Sequence, residues 1–123
     1  LLALVGLRAV DTVADLEYIA NKILGLRVFD DETGVMNRSL GETGGDLLLV
    51  SQFTLYGDAR RGRRPSYSEA MAPEKAAGVY HEFVELCRGL HPSVCSGRFG
   101  ADMKVELVNE GPVTILLDSG RLF

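Results

Sequence analysis

The sequence predicts one α/β domain, with a mixed, mostly antiparallel β-sheet, a barrel-like core, and two main helices packed against it. Three observations carry this. Apolar runs of strand length alternate with two segments of helical periodicity. The chain has 123 residues, 46% hydrophobic and 24% charged, the size and balance of one globular domain with its own core. No repeat or low-complexity stretch divides it.

Leu1–Leu7 is nearly all apolar and reads as a central strand. Asp11-Thr12 offers a helix cap, and Val13, Leu16, Ala20, Ile23 and Leu24 then recur at helical spacing, for three to four turns. Arg27-Val28-Phe29 is a short strand, followed by a turn at Asp30-Asp31-Glu32-Thr33-Gly34 whose glycine supplies a positive φ. That turn lacks the ligand spacing of a calcium loop. Gly44-Gly45 introduces a strand over Asp46–Tyr56, and Gly57–Pro65 is a loop. Pro73 suits the first position of a second helix. Ala76, Val79, Tyr80, Phe83, Val84 and Cys87 form its buried face, and Gly89 and Pro92 end it. In Met103–Val108 the apolar Met103, Val105 and Leu107 alternate with charged residues, as in a half-buried strand. Val113–Leu117 is a last strand, after the turn Asn109-Glu110-Gly111-Pro112.

Bulk properties exclude several function classes. A net charge of −4 argues against general affinity for nucleic acid, which rests on phosphate neutralisation. The basic residues are concentrated, though: Arg60, Arg61, Arg63 and Arg64 place four of the 13 within five positions. No apolar run approaches the ~18–20 residues of a membrane-spanning helix, and no basic segment of a secretory leader precedes the opening apolar run. Cys87 and Cys95 fit no zinc spacing or disulfide framework. They read as reduced thiols of a cytoplasmic protein, Cys87 in the core.

Ordinary catalysts are scarce. His81 falls on the polar side of the second helix, near Glu82, Glu85 and Arg88. His91 lies just past that helix, where a cation suits the C-terminus. No P-loop, nucleophile elbow or zinc signature is present, and no metal or cofactor is called for.

Two stretches stand out. Leu47-Leu48-Leu49-Val50 is a buried strand that turns polar at Ser51-Gln52-Phe53-Thr54. Burying such groups unpaired costs about 1–3 kcal/mol each on protein scales. Either they make structural hydrogen bonds or they line a pocket, and strand C-terminal ends are common sites in α/β proteins. Period-two geometry sets Ser51 and Phe53 on one face, Gln52 and Thr54 on the other. The second stretch, Asn109-Glu110-Gly111-Pro112-Val113-Thr114, reads as a turn between strands.

Together, SQFTL at Ser51–Leu55 and the N-x-G-P-V-T pattern at Asn109–Thr114 resemble the two signature motifs of the D-aminoacyl-tRNA deacylases. Flanking blocks agree: Lys22–Arg27, Met36-Asn37, Arg61–Ser66 and Gly97–Met103. The resemblance runs from about Leu1 to Ser119. It implies hydrolysis of the ester joining a D-amino acid, or glycine, to the 3′ end of tRNA. It also implies a homodimer in which Gly111-Pro112, with a cis bond, reaches into the partner's pocket, where its carbonyls hold the α-amino group and exclude L side chains. By the same match, Ser51, Gln52, Phe53 and Thr54 form the pocket floor, and main-chain N–H groups around Gln52–Thr54 stabilise the oxyanion while the ribose 2′-OH helps activate water. Asn109 belongs to the selection motif. Phe99, Gly100 and Met103 line the adenine pocket. Arg60, Arg61, Arg63 and Arg64 contact acceptor-stem phosphates. Thr54 has a supporting role, since a threonine without an adjacent base is weakly activated. The family's N-terminal strand hairpin is not represented in residues 1–123, so the expectation is one deacylase-like domain lacking that hairpin.

Three alternatives stand beside this. A related enzyme edits L-alanine mischarged on tRNA, using a trans Gly-Pro. A non-catalytic nucleic-acid-binding protein would use the arginine loop. A cysteine hydrolase would use Cys87 or Cys95.

Overall fold

The computed structural model describes residues 1–123. Its order is β1 (Leu2–Val5), α1 (Val13–Gly25), β2 (Phe29–Asp30), β3 (Met36–Arg38), α2 (Leu40–Thr43), β4 (Leu47–Ser51), a 3-10 turn (Phe53–Tyr56), α3 (Pro73–Leu90) and β5 (Val94–Ser96). β4 is central, with β1 on one side and β5 on the other, both parallel to it. Leu2 stands opposite Leu48, and Leu47 opposite Val94. Parallel neighbours need crossovers, and α1 and α3 lie within them.

Each helix forms for local reasons. At α1, the Thr12 N–H and hydroxyl both donate to the Asp15 carboxylate, at 2.7 and 2.6 Å. This meets an otherwise orphaned donor at the helix start. Leu16, Ala20 and Ile23 form its buried face. α3 opens on Pro73, where a missing N–H removes no helical bond. It buries Ala76, Tyr80, Phe83, Val84 and Cys87, and Val79 packs partly buried beside them. These residues meet Val5, Leu7, Leu40, Leu47, Leu49 and Met71 in one core. No helix is long and apolar enough to cross a membrane.

The α/β class and the two main helices agree with the sequence reading, while the pairing differs in detail. The three-stranded sheet is parallel throughout, and antiparallel pairing is confined to β2/β3 and two isolated bridges. α2, β3 and β5, four residues or fewer, carry no periodic signal; α2 owes its start to Ser39, whose N–H and hydroxyl pair reciprocally with Glu42.

Besides Leu1–Leu7, trimmed to Leu2–Val5, and Arg27–Phe29, shifted to Phe29–Asp30, three expected strands change. β4 stops at Ser51 rather than Tyr56, because its partner β1 stops at Val5. The Gln52 N–H donates to Val5 O at 2.7 Å, and the chain then winds into the 3-10 turn. The turn fits because residue 6 is glycine: a Cβ there would sit 3.1 Å from the Tyr56 ring. The two-face assignment of Ser51–Thr54 therefore fails beyond Ser51. Met103–Val108 and Val113–Leu117 form no strand. A strand exists only where another main chain runs beside it, and residues 102–117 make no backbone–backbone hydrogen bond within the chain.

Candidate active site

The end of β4 is held from behind by α3. The Tyr80 hydroxyl, buried, donates to Leu49 O at 2.9 Å. Burial raises its pKa, and the Ser51 N–H beside it pulls the other way. Leu49 O also accepts from the Gly97 N–H at 2.8 Å. This places the Gly97–Met103 block against the same strand end. Phe99 packs on the Tyr80 ring, with centroids 5.8 Å apart. The Met103 thioether covers Gly97 so closely that a Cβ there would lie 2.9 Å from its sulfur. Gly100 turns the chain between them with φ +73°. Ser51, Phe99 and Met103 are thus gathered at one end of β4.

Main-chain donors follow. Of the amides named from the sequence, Gln52's is engaged by Val5 O. Those of Phe53 and Thr54, first in the 3-10 turn, have no acceptor in the chain. Leading N–H groups of a helical turn have no partner within it. Of the amides expected as donors around Gln52–Thr54, only those of Phe53 and Thr54 are unengaged. The Gln52 side-chain amide donates to the Thr54 hydroxyl. Thr54 has neither histidine nor carboxylate beside it among its hydrogen bonds, so nothing activates it as a nucleophile.

The loop after the turn is closed at its base. Asp58 and Ser66 exchange both backbone bonds, at 2.7 and 2.9 Å. Within it, Arg60 is not free. Its guanidinium grips Asp58 through Nε and a terminal nitrogen, at 2.8 and 2.7 Å. These bonds, and then the Arg60 N–H, hold the Asp58 carboxyl down to about 2. The pair is intact at neutral pH and is lost as pH falls from about 4 through about 2. Arg61, Arg63 and Arg64 are exposed and form no salt bridge.

Asn109–Thr114 forms a closed turn. The Asn109 side chain accepts from the Val113 N–H at 3.0 Å and donates to the Thr114 hydroxyl at 3.1 Å. The Gly111–Pro112 bond is cis, and Gly111 has φ +130°. A Cβ on Gly111 would lie 2.9 Å from a Val113 methyl and 3.1 Å from the Val113 N. No hydrogen bond joins this turn to Ser51–Thr54 within the chain.

Of the remaining titratable candidates, Cys87 and His91 are structural, and His81 and Cys95 are exposed. Cys87 is fully buried, and burial pushes its thiol up to about 11, away from the thiolate. His91 is buried, caps α3, and bonds Gly45 O through Nε2 at 2.7 Å. His81 is exposed on α3.

The family model described as D-Tyr-tRNA(Tyr) deacylase matches residues 1–118. The chain belongs to that family. A D-aminoacyl-tRNA deacylase of Thermosipho melanesiensis is 58% identical over 124 residues, covering 100% of this chain and 83% of that protein. One from Clostridium acetobutylicum is 54% identical over 121 residues, covering 98% and 81%. A solved structure named c-Myc DNA Unwinding Element Binding Protein superposes with a TM-score of 0.90 at 40% identity, over 95% of this chain and 80% of that one. Within this deacylase family member, sequence reasoning missed Gly57, Asp58 and Tyr67. The signal for Asp58 was its place two residues before Arg60; Tyr67 offered none.

Proposed function

We propose that this chain is a D-aminoacyl-tRNA deacylase that hydrolyses the ester between a D-amino acid, or glycine, and the 3′-terminal ribose. The observation carrying this reading is the pair of unengaged amides, Phe53 and Thr54, inside the family's S-Q-F-T motif. Water adds to the ester carbonyl carbon, helped by the ribose 2′-OH. The two N–H groups take the oxyanion, and preorganised donors of this kind lower the barrier without reorganising. Collapse breaks the ester bond, and the 3′-oxygen leaves with a proton as tRNA, releasing the free amino acid. Neither Thr54 nor a thiol attacks. Ser51, Phe99, Gly100 and Met103 hold the terminal adenosine at the end of β4.

Selection falls to Gly111-Pro112 of a second copy, in a cytoplasmic homodimer of one-domain chains. Two features support this. The turn is exposed and unbonded to its own chain's pocket floor. Around it, Leu107, Val108, Ile115 and Leu116 are exposed apolar residues on backbone without main-chain partners. Gly111→Ala pushes Val113 aside and shifts the turn. A misplacement of about 1 Å can cost about 100-fold. The expected result is a fall of tenfold or more in the ratio of D-Tyr-tRNA to L-Tyr-tRNA hydrolysis. An unchanged ratio removes Gly111 from selection.

Arg61, Arg63 and Arg64 meet acceptor-stem phosphates, which position the tRNA without reading sequence. Asp58 competes for Arg60. Asp58→Asn is expected to tighten tRNA binding and to steepen its log–log salt slope by about 0.7–0.9, one more neutralised phosphate. Titration of binding against salt reads this directly, and an unchanged slope means Arg60 faces no phosphate. Release of free D-tyrosine from D-Tyr-tRNA tests the activity itself. Hydrolysis of L-alanyl-tRNA alone would favour the L-editing relative, and salt-dependent duplex binding without hydrolysis would favour a nucleic-acid-binding protein.

A further inference from the structure

We propose that Tyr67 is a positioning residue, whose ring holds the Phe53 and Thr54 amides in register for the oxyanion. The inference rests on the amide reading above.

The problem it addresses is support. The Phe53–Tyr56 turn buries none of its residues, and Phe53 is 58% exposed, so the core does not fix it. Its start is anchored by the Gln52 N–H on Val5 O, and its far end by the Gly57 N–H on Thr54 O at 2.9 Å. A single 3-10 turn has poor hydrogen-bond geometry and little intrinsic stability. Something must hold the Phe53 side.

Tyr67 does so. Its ring meets Phe53 edge to face, with centroids 5.1 Å apart and planes at 69°, a favoured aromatic arrangement. The same ring backs onto Gly57. A Cβ on Gly57 would lie 3.0 Å from Tyr67 Cε1 and 3.0 Å from Thr54 O, so only glycine lets ring and turn close together. Tyr67 is itself fixed. It follows Ser66, which is locked to Asp58 by two backbone bonds, and its carbonyl accepts from the Ala70 N–H at 3.1 Å. The Tyr67 hydroxyl makes no hydrogen bond within the chain, so the ring alone carries the role. Tyr67 also begins where the arginine loop ends. The clamp that closes that loop therefore sets the ring that braces the amides.

The test is single-turnover deacylation of D-Tyr-tRNA with four chains: wild type, Tyr67→Leu, Tyr67→Phe, and one with Phe53 replaced by phenyllactic acid, which deletes the Phe53 N–H and weakens Gln52 O, the acceptor of the Leu55 N–H. Tyr67 lies outside the core, so Tyr67→Leu folds, and circular dichroism checks it. The expected result is a tenfold lower maximal rate for Tyr67→Leu at an unchanged half-saturating enzyme concentration, with the rate restored in Tyr67→Phe. The Phe53 and Thr54 amide ¹⁵N shifts move in Tyr67→Leu and stay in Tyr67→Phe. A wild-type rate in Tyr67→Leu overturns the proposal, as does a loss as large in Tyr67→Phe or a change confined to half-saturation. The ester chain separates the two claims. If it is slow while Tyr67→Leu is normal, only the Tyr67 inference fails. If it matches wild type, the amide reading itself fails.

Discussion

Phe83→Ala lowers the stability of the folded chain by about 3–5 kcal/mol, the range for truncating a buried Phe. Phe83 is 1% exposed and sits with Tyr80, Val84 and Cys87 on the buried face of α3, against Leu47 and Leu49 of β4. The loss combines the transfer free energy of the ring with a cavity that rigid β4 cannot fill. Domains are stable by only about 5–15 kcal/mol, so the variant spends a measurable fraction of time unfolded. Urea unfolding at one fixed chain concentration reads this as a lower midpoint at unchanged slope. A shift under about 1 kcal/mol would mean that α3 repacks freely, and that Tyr80 does not hold the end of β4 as described.

Deleting the Phe53 N–H lowers the maximal deacylation rate by about 100- to 1,000-fold, the cost of losing one oxyanion donor. The replacement of one amide by an ester keeps the side chain and the Phe53–Tyr67 contact. Half-saturation should hardly change, since the donor matters where negative charge develops and less to the neutral ester. Thr54→Val in the otherwise unaltered chain should lose far less, because Thr54 has no base to make it a nucleophile. Single-turnover rates for both chains decide the matter. A larger loss in Thr54→Val than in the ester chain would move the chemistry to the hydroxyl.

What the sequence made legible were the local features. The spacing of Leu16, Ala20 and Ile23, with Thr12 before them, located α1 almost to the residue. Pro73 and the Ala76–Cys87 stripe did the same for α3. The two motifs stood out through the family they resemble rather than through burial: Ser51 and Gln52 are half-buried, while Phe53, Thr54 and all of Asn109–Thr114 are exposed. What remained hidden depends on distant partners. β4 ends at Ser51 because β1 ends at Val5, and nothing within Ser-Gln-Phe-Thr records that. The alternation of Met103, Val105 and Leu107 is genuine, but alternation cannot say whether a neighbouring main chain lies alongside. Phe53 and Tyr67 meet across a loop, and the Arg60–Asp58 pair depends on how that loop folds back. Charge alone presented four equivalent arginines, where geometry presents one engaged and three free.

The central claim is that this chain hydrolyses the D-aminoacyl ester and spares the L form. The most direct measurement is single-turnover deacylation of D-Tyr-tRNA and L-Tyr-tRNA, side by side, with the same enzyme preparation. The account predicts rapid release of D-tyrosine and L-Tyr-tRNA decaying at its uncatalysed rate. Equal hydrolysis of both esters, or of neither, would contradict it.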